Sequence, residues 1–228
     1  MQYIRKAETR GSVDLGWLKS NHSFSFGHYY DPKHMGVSAL RVINDDVVKP
    51  GMGFDTHGHR DMEIISYVIR GALEHKDSEG NEFIIPAGDI QLMSAGSGIY
   101  HSEYNASKTN DVNFLQIWVV PQSKGTKPRY QQKTIKQIDK LTPLVTPNGE
   151  SDSLTINQDA SVYRLVLKQG QTITLTTEQR RGYLHVVKGA LSVDGKLFGE
   201  GDAFALENNQ EKILQANDLL EALWFDLP

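Results

Sequence analysis

The sequence predicts an all-β protein built from two related units, and three observations carry that expectation. From Ser38 onward, short apolar runs rich in Ile, Val and aromatic residues recur, each closed by Gly, Pro, Asn or Asp. No segment shows the 3.6-residue apolar period of a long amphipathic helix. A pair of glycine-centred motifs then occurs twice: Val68-Ile69-Arg70-Gly71-Ala72-Leu73 is echoed by Val186-Val187-Lys188-Gly189-Ala190-Leu191, and Ala87-Gly88-Asp89 by Glu200-Gly201-Asp202. Evenly punctuated short strands indicate a sandwich or closed barrel, and the repeat indicates two copies of it.

In chain order, residues 1–36 are mixed. HSFSFGHYYDP alternates around Phe24 and Phe26 and ends in the turn signal Asp31-Pro32. His22, His28 and His34 fall here, interrupted by Gly27 and Pro32, and read as surface or hydrogen-bonded histidines. The strand series SALRVI, MEIISYVI, NEFII, DIQLM and NFLQIWVV follows. Residues 121–150 break it with a basic stretch in which Asp139 is the lone acid between Lys124 and Lys140. Without aromatic interleaving this reads as a solvated connection, not a nucleic-acid surface. After Ser151 short strands resume, and Val193-Asp194-Gly195-Lys196 is a strong hairpin signal.

Composition narrows the chemistry. With 228 residues the chain can bury a real core, and a net charge of -4 gives no reason to expect a polyanionic partner. There is no Cys, so thiolate metal sites and cysteine nucleophiles are excluded. No apolar leader or membrane-length segment stands in the sequence, and a cytoplasmic location is the expectation.

The functional centre is expected between Gly51 and Tyr104. His57 with His59, and His101 with Glu103, are each spaced i, i+2, which puts each pair on one face of a strand. Two such strands lining one interior supply three imidazoles and a carboxylate. That donor set suits Fe, Ni, Mn, Cu or Zn better than Ca or Mg, and on a six-coordinate ion it leaves two adjacent positions open. Asp61 and Glu63 share the parity of His57 and His59, so spacing alone leaves the choice of carboxylate among Asp61, Glu63 and Glu103 open. The second copy offers none of these donors, since the positions aligned with His57, His59, His101 and Glu103 are Leu175, Thr177, Leu214 and Ala216.

Gly51, His57-Gly58-His59, Glu63 and Pro86-Ala87-Gly88 resemble the two motifs of the cupin superfamily. THGHRDMEIISYVIRG followed by GDIQLMSAGSGIYHSEYN is similar more narrowly to the pirin family, and in particular to bacterial pirin-like quercetin 2,3-dioxygenases. The likeness extends upstream through WLKSNHSFSFGHYYDP and ALRVINDD. The resemblance implies a bicupin, two antiparallel jelly-roll-like β-barrels packed together: a metal-binding domain over 1–130, a linker over 131–150 and a degenerate domain without ligands over 151–228. It implies His57, His59, His101 and Glu103 as ligands of one divalent metal, foremost Fe(II), with Glu63 left to a supporting role. Two departures stand out, Gln91 where the general cupin pattern has histidine and Gly58 where pirins often have proline.

The activity implied is opening of a flavonol ring by dioxygen, with Glu103 accepting the substrate's proton. Phe24, Phe26, Met93 and Tyr100 are candidates for an aromatic-binding wall, and His75 and Gln91 for orienting the ligands. The alternative is a non-enzymatic, metal-dependent redox-sensing or regulatory protein with a protein partner, the role regarded as that of animal pirins.

Overall fold

In the computed structural model, residue 1 and residues 3–228 are described. The first half contributes β1 (Tyr3–Arg5), β2 (Gly11–Asp14), β3 (Leu18–His22), β4 (Leu40–Val48) and β5 (Gly53–Arg70). It continues with β6 (Ala72–Asp77), β7 (Glu82–Pro86), β8 (Asp89–Asn105), β9 (Val112–Val119) and β10 (Arg129–Thr134). The second half begins with β11 (Leu141–Thr146), β12 (Leu154–Thr155), β13 (Ser161–Leu167), β14 (Thr172–Thr177) and β15 (Arg181–Lys188). It closes with β16 (Leu191–Val193), β17 (Lys196–Phe198), β18 (Ala203–Leu206), β19 (Gln210–Ala216) and β20 (Leu220–Leu227). Among the described residues no helix is long and apolar enough to cross a membrane.

The nine strands β2 to β10 form one sheet in the order β2-β3-β4-β9-β5-β8-β6-β7, with β10 added to β8. Two long strands give it depth. β8 pairs β10 along Asp89–Ser94 and β6 along His101–Asn105, while β5 runs beside β8 for most of its length and beside β9 from Glu63. The second half has a seven-stranded sheet, β1-β18-β15-β20-β13-β11-β12, and a four-stranded one, β14-β19-β16-β17. Neither half closes its ladder into a ring, so the expected barrels are open rolls.

The basic stretch expected as a linker, 131–150, carries structure: most of β10 lies there, against β8, and all of β11, against β13. The N-terminus crosses over in the opposite sense, because β1 pairs β18 in the second half. The buried Arg5 fastens it, donating from Nε to the Ser23 carbonyl at 2.9 Å and from Nη2 to the Tyr29 hydroxyl at 2.8 Å. The largest apolar cluster draws on both halves, with Leu92 and Ile117 from one and Val162 and Phe225 from the other. The two units therefore share a core.

The internal repeat is a repeat of backbone geometry. Gly71 and Gly189 have φ of 81° and 76°, Gly88 and Gly201 have 92° and 80°, and only glycine adopts such values without strain. The amide of Gly88 donates to the Val68 carbonyl, and that of Gly201 to the Val186 carbonyl, which are aligned residues of the motif. The Asp194-Gly195 turn has both central φ positive, as a two-residue hairpin requires. In the second copy the positions aligned with the metal donors are buried, with Leu175, Leu214 and Ala216 in an apolar cluster and Thr177 at 4% exposure.

His185, the histidine of the second half, is buried, and burial followed by the Arg10 charge pushes its imidazole down to about 4 against opposing pulls from Asp45 and Asp202. A depressed histidine binds its proton more weakly folded than unfolded, so stability falls as pH drops below the ordinary value of 6.5 toward about 4. Melting temperatures of wild type and His185→Leu measured across that window test this. The wild type loses stability on acidification more steeply, and parallel curves contradict the assignment.

Candidate metal centre

The imidazoles are placed by the register of β5 against β8. His57 stands directly opposite His101, Gly58 opposite Tyr100, and His59 opposite Ile99. Alternation puts Thr56, Gly58 and Arg60 outside and His57 and His59 half-buried inside. The ladder slips by one residue between Phe54 and His57, and the backbones close tightly there. A Cβ on Gly53 would lie 2.2 Å from the Glu103 carbonyl oxygen, so no other residue fits.

One ring nitrogen from each of His57, His59 and His101 lies within 4.8 Å of the others, the only such cluster of His, Cys, Asp or Glu among the described residues. His57 Nε2 and His101 Nε2 are 3.0 Å apart. Two nitrogens each about 2.1 Å from one ion, at a right angle, are about 3.0 Å from each other, so the spacing fits a shared metal.

Hydrogen bonds select which nitrogen each ring presents. His57 Nδ1 donates to the Asp55 carbonyl at 2.7 Å, leaving Nε2 free. His75 Nε2 donates to Asp77 Oδ2 at 3.0 Å, and both side chains are fully buried. His75 Nδ1 is then an acceptor, for Gln91 Nε2 at 3.1 Å and His101 Nδ1 at 3.4 Å. His101 in turn presents Nε2 to the centre. A carboxylate thus orients one histidine and, through it, a metal-facing one. Asp77 sits opposite His101 on β6, and His75 opposite Glu103. Burial would raise the Asp77 carboxyl, but hydrogen bonds from His75 and Asn81 outweigh it and hold the group below its ordinary range.

His59 is pushed down to about 3 by burial and then by the nearby His101 and His57, and His101 to about 3 by burial, His57 and His75. Both rings are neutral donors at physiological pH. Glu103 lies outside the three-histidine cluster but lines the same cavity. Its Oε2 accepts from Gln116 Nε2 at 2.7 Å and its Oε1 from Ser66 Oγ at a longer 3.3 Å. Burial raises its carboxyl, opposed by His75, His57 and these hydrogen bonds.

The cavity beside the centre has a volume of about 230 Å³ and is walled by Phe26, Phe54 and Trp118, with Asn44, Asp46 and Gln116 at its polar side. Of the four expected wall residues, Phe26 is in place, edge-on to Trp118 at 5.3 Å. Phe24 packs against Tyr3 and Tyr183 in the core shared by the two halves. Met93 is buried with Ile64, Ala95 and Ile99. Tyr100 is 63% exposed and lies over Gly58 on the outer face, as strand parity demands once His101 points in. Glu63 accepts from Ser94 Oγ at 2.8 Å and from the Asn157 amide at 3.3 Å, away from the imidazoles. Asp61 lies beyond a second register slip and accepts from the Gly125 amide at 2.7 Å.

Phe54, Trp118, Asn44, Asp46 and Gln116 were not picked out by motif, yet a signal existed. In β4 the inward series is Val42, Asn44, Asp46, Val48, and in β9 it is Val112, Phe114, Gln116, Trp118. Polar residues on an otherwise apolar, buried parity mark an interior with a polar task.

The comparisons with known proteins agree with this geometry. The chain matches the Pirin family model over residues 3–119 and the Quercetinase C-terminal cupin domain model over residues 143–227. It is 45% identical over 229 residues to the quercetin 2,3-dioxygenase of Escherichia coli strain K12, covering 100% of this chain and 99% of the relative. A pirin-like protein of Caulobacter vibrioides is 42% identical over 203 residues, 87% of each chain. The crystal structure of the bacterial pirin YhhW from Escherichia coli in complex with nickel(II) matches with a TM-score of 0.95 at 44% identity, covering 99% of this chain and 98% of that one. Two cupin domains are present, as the sequence motifs imply.

The buried carboxylate behind His75 yields a direct test. Asp77→Ala leaves His75 free to turn and uncouples the orientation of His101, so nickel(II) affinity, measured by competition with a chromophoric chelator, falls roughly 10–100-fold. Unchanged affinity in a folded variant contradicts the relay.

Proposed function

The chain belongs to the pirin family, and we propose that its three-histidine centre, completed by Glu103, holds one divalent transition metal and opens the ring of a quercetin-like flavonol with dioxygen. The observation that carries this reading is the convergence of His57, His59 and His101 on one point at the wall of an aromatic-lined cavity. Its support from relatives is the quercetin 2,3-dioxygenase name of the Escherichia coli protein and the nickel(II) held by YhhW. We take Fe(II) as the resident ion; imidazole and carboxylate donors also suit Ni, Mn, Cu and Zn.

A bound ion of this kind supplies Lewis acidity that acidifies a hydroxyl oxygen and a place for substrate and dioxygen to meet. The chain's own residues supply the rest. Glu103 Oε1, the less tightly held oxygen, takes the proton of the substrate hydroxyl, a transfer that works because the same cation would acidify that hydroxyl. Gln116 Nε2 keeps Oε2 fixed during the transfer. Phe26, Phe54 and Trp118 offer faces and edges to a planar ring and exclude water. Pockets for whole drug-sized ligands span roughly 300–1,000 Å³, so a space of about 230 Å³ takes one ring and leaves the rest of a flavonol at the mouth.

Oxygen uptake with quercetin, measured on iron-loaded and nickel-loaded protein, tests the proposal. Wild type consumes oxygen, His57→Ala loses metal and activity together, and Glu103→Gln loses about a hundredfold or more in rate, a hundredfold being the lower end of what a positioned base contributes. Absence of uptake by the loaded wild type favours a regulatory binding role. Uptake unaffected by both substitutions removes the mechanism.

A further inference from the structure

Arg5 is 1% exposed, and among the described residues no carboxylate forms an ion pair with it. A buried cation costs far more than a buried apolar side chain of similar size, so directional bonds are what an arginine adds here. Neutral oxygens meet its guanidinium. Nε donates to the Ser23 carbonyl at 2.9 Å and Nη1 to Thr9 Oγ1 at 3.2 Å. Nη2 donates to the Tyr29 hydroxyl at 2.8 Å and, at a long 3.5 Å, to the His22 carbonyl. His22, Ser23 and Tyr29 flank one turn, residues 26–29, and that turn carries the cavity wall. The Phe26 and Tyr29 amides each donate to the other's carbonyl at 3.0 Å, with Gly27 between them at a φ of 57°. The Tyr29 ring lies on Gly11, where a Cβ would fall 2.3 Å from its Cγ, and stacks on His22, which also packs on Phe26 at 5.4 Å. Phe26 in turn meets Trp118 at the cavity. Among the described residues, Arg5 supplies the only hydrogen bond to residues 26–29 from outside the turn. Tyr3, two residues before Arg5 and so on the same face of β1, reaches the same connection between β3 and β4, its hydroxyl 2.9 Å from His34 Nδ1.

We propose that Arg5 is a positioning residue for the metal cavity: it clamps the turn at residues 26–29 so that Phe26 stands fixed as the wall on which a planar ring packs. Because β1 is paired to β18, the second domain carries the clamp and so shapes a site whose ligands all lie in the first. The inference rests on the flavonol reading and adds the residue that keeps its apolar wall in place. A side chain held in position before the ligand arrives loses less freedom on binding, so the clamp acts on affinity. Lysine does not replace it, since a single ammonium lacks the planar fork that serves the Ser23 carbonyl and the Tyr29 hydroxyl together.

The test is calorimetric titration of quercetin into nickel-loaded protein under argon, so that no turnover intervenes, with metal content and melting temperature measured on each variant. Arg5→Lys keeps the charge without the fork, and Tyr29→Phe removes only the accepting hydroxyl. Each binds quercetin roughly tenfold more weakly than wild type, the worth of one well-placed aromatic contact, while metal content stays at the wild-type level. A purely structural role would lower the melting temperature and leave the affinity of the folded protein alone. Combined with Phe26→Ala, either substitution has no further effect on affinity, because the wall it steadies is already gone. Affinity unchanged in both single variants, or losses that add to that of Phe26→Ala, overturns the clamp and leaves the flavonol reading standing. Failure of metal-loaded wild type to bind quercetin overturns both.

Discussion

The constraint on which the rest depends is a single row of paired residues across three strands, His57 on β5, His101 on β8 and Asp77 on β6. Directly opposed residues of an antiparallel pair share a face and bring their side chains within contact. Because the side-chain period is two, a slip of one residue would turn every donor outward. Gly53 permits the close backbone approach beside the bulge in β5, which sets Phe54 and not Asp55 opposite Glu103, while the unbroken β6–β8 register puts His75 opposite Glu103 in the next row. The register is therefore both the scaffold and the selector of the ligand set.

Burial then decides the chemistry of the groups that register has assembled. The same desolvation that keeps His59 and His101 neutral, and so available as donors, raises Glu103 and makes its charged form depend on a nearby cation. Two histidines at 3.0 Å and a dehydrated carboxylate are poorly matched to one another without something positive between them. The second domain is the counterexample inside the same molecule. It keeps the turns of the repeat and replaces the donors with Leu175, Leu214 and Ala216, so its interior is filled with carbon instead of a polar centre. One fold, duplicated, thus has one copy for chemistry and one contributing its outer face to the shared core.

Much of this was legible in the sequence, and what was not shares a physical reason. The two i, i+2 pairs and the glycine repeat are local signals, fixed by strand parity and by backbone angles that only glycine tolerates; the structure repeats the glycine angles and brings His57, His59 and His101 together, with Glu103 outside that cluster. The cavity wall is assembled by strand order. β9 lies between β4 and β5, so Asp46, Gln116 and His59 come to line one cavity although they are far apart in the chain. Phe24 and Phe26 illustrate the same limit. Two residues apart, they part at an irregular turn, one to the shared core and the other to the cavity. The stretch 131–150 looked like a linker because its charges are solvent-facing, while its backbone pairing with β8 and β13 leaves no trace in composition.

The central claim is that three imidazoles from β5 and β8 meet on one cation. X-ray absorption fine structure at the nickel edge, on protein loaded with one equivalent of nickel(II), measures this most directly. The account predicts the multiple-scattering signature of three imidazoles together with oxygen donors, and the loss of one imidazole in His101→Ala. A bound ion with fewer than three imidazoles, or a spectrum indifferent to His101→Ala, would contradict it.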